Sequence, residues 1–174
     1  LSYENYFNYS KVWLEDFVHP DNRTTSMANT NKLIRKYSFC DGGKTGFTNE
    51  AGFCLAATAK KDNMRLISVV LGADSSDNRF SSTINMFNFG FSNYKNKIVL
   101  DKDVTLNDEF AVSGGKKKSF AVCPERNSYV FSAADKSPDV TFEIIADDVK
   151  APVVKGQAVG KINVYKDGFL CDSV

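Results

Sequence analysis

The sequence predicts an α+β protein: an antiparallel sheet with helices, followed by a small all-β domain. Three observations carry that prediction. Strand-like runs at 44–47, 52–60 and 64–73 are separated by short turns at 48–51 and 61–63, the pattern of an antiparallel meander. Residues 75–94 then place Phe80, Ile84, Phe87 and Phe91 on one helical face, as a helix packed on a sheet requires. Beyond Tyr94 the texture changes to short strands at 97–100, 119–123, 128–132, 140–145 and 159–165, broken by Gly, Pro, Asn and Asp. The boundary is set near 94–97, giving domains of 1–94 and 95–174.

The elements follow in chain order. Residues 3–17 read as a helix with Ser2 as N-cap, since Tyr6, Tyr9, Trp13 and Phe17 recur at helical spacing; these aromatics are read as core. His19-Pro20-Asp21-Asn22 breaks that helix, and a short turn or helix follows around 29–36. Of the three strand runs, MRLISVVLGA at 64–73 is the strongest, and Gly72 closes it.

Composition excludes several functions. A chain of 174 residues that is 43% hydrophobic can bury a core. With 22 basic against 21 acidic side chains it lacks the basic face of a nucleic-acid binder, and Lys116-Lys117-Lys118 after Gly114-Gly115 reads as an exposed turn tip. No apolar run is long enough to span a bilayer. Four cysteines without C-x-x-C spacing and a single histidine, His19, make no metal site, and no cofactor site is readable. Cys40 and Cys54 flank a hairpin and are either a disulfide or two buried thiols.

The chemistry concentrates in Lys44-Thr45-Gly46. A strand carrying these residues at a sheet edge presents a cation and a hydroxyl, and the glycine keeps the edge open to an extended ligand. A carboxylate would meet both charge and a hydrogen bond there. The surroundings sharpen this reading: Asn29-Thr30-Asn31-Lys32-Leu33, Asp41 to Thr48 (DGGKTGFT), Ala51-Gly52-Phe53-Cys54 and Arg65 to Gly72 (RLISVVLG). Together with Arg79 and Gly90-Phe91 they resemble the penicillin-binding D-alanyl-D-alanine carboxypeptidases, serine peptidases that trim peptidoglycan stem peptides. The region after 95 is similar to that family's C-terminal domain.

The resemblance implies a penicillin-binding/β-lactamase-like sheet, present in part, and a three-motif site of S-x-x-K, S-x-N and K-T-G. It implies that Lys44 orients substrate, Thr45 holds the terminal carboxylate, Gly46 keeps the edge open, and the Phe47 amide is an oxyanion donor. Arg79 matches a family arginine near the carboxylate end; the other reading is a solvated arginine at a helix start. Many relatives carry histidine at the position of Phe47 and some carry arginine at that of Thr30, so no second cation is claimed there. The implied partners are stem peptides ending in D-Ala-D-Ala and β-lactams. The implied location is extracytoplasmic, with a membrane anchor that this sequence does not contain.

Residues 1–43 hold neither S-x-x-K nor S-x-N, so the nucleophile is expected outside this sequence. Ser76-Asp77-Asn78, Ser92-Asn93-Tyr94-Lys95 and Ser113-Gly114-Gly115-Lys116 match the patterns, but they follow K-T-G and suit a helix cap, a helix exit and a glycine turn. His19, before a proline, suits a loop. Because K-T-G is present without the two motifs that should precede it, the sequence is read as the back of a catalytic domain joined to a β domain, inactive by itself. Its sheet is expected to self-associate or to remain bound to its front half. The rival reading is a non-catalytic wall-binding or scaffolding module; a β-lactamase is weaker, since it would not carry the extra β domain.

Overall fold

The computed structural model describes residues 3–106 and 110–174. The chain forms two compact units, Leu1–Asn93 and Tyr94–Val174.

The first unit opens differently from the sequence prediction. Helix α1 covers only Glu4–Ser10, with Tyr3 as its N-cap residue; Ser2 lies outside the described residues. The chain then turns at Lys11 and runs as β1 (Leu14–Val18), which pairs antiparallel with β2 (Thr24–Ala28). Trp13, Phe17 and Val18 fit a strand as well as they fit helical spacing, and the 19–23 turn decides between the two. The His19 amide donates to the Arg23 carbonyl at 2.8 Å, and Asn22 adopts φ 64°, closing a hairpin. The predicted aromatic core is likewise corrected. Tyr9 and Phe17 are 76% and 50% exposed, and Trp13 packs under the Arg35 guanidinium.

After a short helix α2 (Leu33–Lys36) comes the meander: β3 (Cys40–Thr48), β4 (Gly52–Lys61) and β5 (Met64–Ala73), in the order β3-β4-β5. Helix α3 (Ser76–Asn93) packs on one face. There Leu55, Ala57 and Ala59 of β4 meet Leu33, Cys40, Phe80 and Phe87, with Ile84 and Phe91 at the margin. Alternation along β5 turns Ile67, Val69 and Leu71 to the opposite face, where they are exposed.

The second unit is all β. Strand β6 (Tyr94–Leu100) pairs with β9 (Ser128–Ala133), and β7 (Phe110–Ala111) with β8 (Ser119–Phe120). Strands β10 (Val140–Ala146), β11 (Gly160–Lys166) and β12 (Phe169–Ser173) form a meander. Its core gathers Leu100, Val130, Ile162 and Val164. The sequence prediction did not include β7 or β12, and the run at 119–123 is a strand only over its first two residues.

Candidate active site

Lys44-Thr45-Gly46 lies in the middle of β3, which among the described residues has no partner on its outer side. Two glycines put it there. Gly43 has φ +144°, and a Cβ on it would stand 2.4 Å from the Ala56 carbonyl oxygen. At Gly42 a Cβ would meet the Ser10 hydroxyl at 2.5 Å, so glycine lets α1 close onto the strand. Ser10 in turn donates to the Asp41 carbonyl at 2.9 Å. Asp41 takes two hydrogen bonds from Arg65, at 2.9 and 2.8 Å, which ties the start of β3 to β5.

Thr45 faces the core side beside Leu55, and its hydroxyl sits 2.7 Å from that of Thr30. Two asparagines hold Thr30 in place. Asn29 donates to the Ser10 and Val12 carbonyls at 3.1 and 3.0 Å, while its side-chain oxygen accepts the Asn31 amide at 2.9 Å. Asn31 is fully buried, donates to the Gly42 carbonyl at 3.3 Å and accepts the Leu33 amide at 3.2 Å. Sequence reasoning assigned no role to Thr30, Asn29 or Asn31. The Asn-x-Asn spacing ahead of a helix start was the available signal, since such side chains bond their own backbone two residues on.

Lys44 lies on the other face, opposite Ala56, and is exposed. Its ammonium turns back to the Thr45 carbonyl oxygen, so the cation and the hydroxyl make separate contacts. Gly46 pairs with Cys54, and Phe47 with Phe53, their rings 4.4 Å apart.

Arg79, on the first turns of α3, is 8% exposed, so it is not a solvated helix-start arginine. Its Nη1 donates to the Gly46 carbonyl at 3.2 Å and to the Cys54 carbonyl at 3.4 Å, and Nη2 donates to the Ser76 hydroxyl at 3.2 Å. The guanidinium also lies over the Phe80 and Phe53 rings at 4.8 and 5.4 Å. Because one nitrogen reaches the carbonyls of both paired residues, the Gly46 carbonyl is directed toward β4. Polar groups alternate along an antiparallel strand, so the Phe47 amide is turned to the open edge.

The Cys40–Cys54 disulfide is corrected. The register sets Cys40 opposite Ala59 and Cys54 opposite Gly46, about 17 Å apart along the ladder, whereas a disulfide needs Cα atoms within about 7 Å. Both thiols are free, and burial pushes the Cys40 thiol up from its ordinary value.

The three decoy motifs have other occupations. The Ser75 hydroxyl accepts the Asn78 amide at 3.1 Å as the α3 cap, one residue before the predicted cap, and Ser76 receives Arg79. Lys95 donates to the Ala134 carbonyl, and Ser113 to the Val149 carbonyl. His19 bonds the Thr25 hydroxyl at 2.8 Å within its hairpin. Among the described residues no cluster of ligating side chains could hold a metal, and no helix is long and apolar enough to cross a membrane.

Comparison with known proteins agrees along nearly the whole chain. Residues 2–75 match the family model for D-alanyl-D-alanine carboxypeptidase, and residues 92–174 match that for the penicillin-binding protein 5 C-terminal domain. The D-alanyl-D-alanine carboxypeptidase DacF of Bacillus subtilis is 34% identical over 97% of this chain and 43% of its own length. DacA of Haemophilus influenzae is 32% identical over 81% of this chain and 37% of its own length. The chain thus spans less than half the length of these relatives. Among solved structures, penicillin-binding protein 5 from Haemophilus influenzae superposes with a TM-score of 0.62 at 27% identity, over 97% of this chain and 48% of that one. A peptidoglycan synthesis regulatory factor from Streptococcus pneumoniae shares the fold with a TM-score of 0.72 at 23% identity, over 93% of this chain and 46% of that one. The chain belongs to the penicillin-binding D-alanyl-D-alanine carboxypeptidase family.

Proposed function

We infer that this chain supplies the substrate-binding edge of a serine-type D-Ala-D-Ala carboxypeptidase. That enzyme removes the terminal D-alanine of peptidoglycan stem peptides outside the cytoplasmic membrane. The observation that carries this reading is Lys44-Thr45-Gly46 on β3, whose outer edge is unpaired among the described residues, with the Phe47 amide turned toward that edge. A stem peptide lies along β3 as an added strand. Lys44 supplies positive charge, and the Thr45 hydroxyl, backed by Thr30, donates to the terminal carboxylate. The penultimate carbonyl then rests near the Phe47 amide. As the serine attacks, the carbonyl oxygen gains charge, which a fixed amide donor stabilises. The terminal D-alanine leaves, and water releases the acyl group. A β-lactam follows the same path into the acyl-enzyme and stays.

The serine and its lysine come from an S-x-x-K motif that residues 1–43 do not contain. In this reading 1–94 is the back of the catalytic domain, and 95–174 a separate β-rich domain. The exposed face of β5, with Ile67, Val69 and Leu71, is where the front of the catalytic domain packs. Without the front, that same face drives self-association. Arg79 acts on β3 from behind rather than on the carboxylate.

Intact-mass spectrometry after incubation with a β-lactam tests the proposal. The 174-residue chain alone should gain no mass, and a longer form carrying S-x-x-K upstream of Lys44 should gain one β-lactam equivalent. A stoichiometric adduct on the chain alone would revive the downstream serines, and no adduct on the longer form would favour the scaffolding reading.

A further inference from the structure

We propose that Arg79 is a positioning residue that polarises the Gly46–Phe47 peptide, so that the Phe47 amide becomes a fixed, strengthened hydrogen-bond donor at the open edge of β3. The proposal rests on the carboxypeptidase reading for its catalytic consequence, but not for its geometry.

Four observations carry it. The guanidinium is buried and no carboxylate pairs with it among the described residues, so its charge is not neutralised locally. Its Nη1 donates to the Gly46 carbonyl oxygen at 3.2 Å. Its Nε is buried without a hydrogen-bond partner, a desolvation cost retained for the sake of where Nη1 and Nη2 point. Finally, Phe53 and Phe80 flank the guanidinium plane, which restricts its swing.

A peptide unit is planar and trans, so its carbonyl and its amide N–H point in opposite directions. A cation bonded to the Gly46 oxygen therefore pulls electron density away from the Phe47 nitrogen, and its proton becomes a better donor on the far side. Hydrogen bonds in series strengthen one another, and more so where water is excluded. The same contact locks the plane's tilt, because Nη1 also holds the Cys54 carbonyl of the neighbouring strand at 3.4 Å. Arg79 thus acts through another group: it touches neither substrate nor nucleophile, and its influence is felt only when charge develops at the edge.

This role differs kinetically from carboxylate binding. A guanidinium on the substrate carboxylate would favour ground state and transition state alike, and its loss would raise KM. A guanidinium that tunes an oxyanion donor should change kcat and leave KM nearly untouched.

The test uses Arg79→Lys, which keeps a cation but has a shorter reach and no planar fork to hold the Gly46 carbonyl and the Ser76 hydroxyl together, in the intact carboxypeptidase labelled with 13C and 15N. The Gly46 carbonyl carbon and the Phe47 amide proton should both shift upfield, with Gly115 of the second unit unmoved. With a D-Ala-D-Ala peptide kcat should fall about tenfold while KM stays within about twofold. A rise in KM at unchanged kcat would place Arg79 on the substrate, and an unmoved Gly46 resonance would remove the contact; either overturns the proposal. If the wild type shows no turnover, the carboxypeptidase reading fails and takes the catalytic half with it, while the resonances still decide the contact. Should Arg79→Lys not fold, through-bond coupling between Arg79 Nη1 and the Gly46 carbonyl carbon in the wild type decides the contact without a variant, and its absence overturns the proposal.

Discussion

At the scale of single residues, the environment of a side chain separates groups that the sequence presents as equals. The four cysteines look alike in a composition. Cys40 is buried against Leu33 and Ala59 with its thiol pushed up by burial, whereas Cys54 lies half-exposed opposite Gly46 and Cys123 and Cys171 are exposed. Since the thiolate is the reactive form, a raised value and a closed environment act in the same direction. Iodoacetamide labelling at neutral pH, read by peptide mass, should therefore leave Cys40 the slowest of the four by at least about tenfold. Equal rates at Cys40 and Cys54 would contradict this packing. Lys44, Thr45, Gly46 and Phe47 were legible as a motif because their order is local. The hydroxyl pair of Thr30 and Thr45 was not, because it joins residues 15 apart through two asparagine side chains whose partners are backbone groups.

At the scale of elements, the three-stranded meander and α3 were legible, since each rests on a run of apolar periodicity long enough to outvote its alternatives. The opening helix was not. From Tyr3 to Phe17 the aromatic spacing suits a helix, but the second half of that stretch pairs with β2 across a turn, and only pairing rewards an extended chain. Strand β3 offers a direct test of how glycines shape the site. Gly43→Ala places a Cβ 2.4 Å from a backbone oxygen at a φ that L-residues avoid, and should cost roughly 3 kcal/mol. Gly46→Ala, whose Cβ would come no nearer than 3.9 Å to any neighbour, should cost less than about 1 kcal/mol. Urea unfolding of both variants measures the difference; equal losses would show that the close approach of β3 and β4 is not what Gly43 serves.

At the scale of the whole molecule, each unit carries its own polar fastening. In the second unit Arg126 grips Asp172 with bonds of 2.8 and 2.6 Å, and Ser128 donates to the same carboxylate at 2.6 Å. The Arg126 guanidinium, with Ser128 and the Ser173 amide, holds the Asp172 carboxyl far below the usual carboxylate range. A depressed folded value means that the contribution to stability is complete well above the unfolded value of about 3.9, and is lost as pH falls through the carboxylate range. Asp172→Asn should therefore weaken the second unit by about 1 kcal/mol at pH 7, a modest figure because Arg126 is half-exposed. That difference should shrink toward pH 2. Hydrogen exchange should speed up at β9 and β12 while β3 to β5 are unchanged; a pH-independent difference would refute the ionic account. What the sequence by itself determined is whatever is local or periodic: the α+β class, the meander with its packed helix, and the family carried by K-T-G and its neighbours. Only the tertiary structure decided that Arg79 reaches the back of β3, that Thr30 meets Thr45, and that Cys40 and Cys54 stay apart. Those outcomes depend on strand register and side-chain burial, which join residues remote in the chain and leave no periodic trace along it.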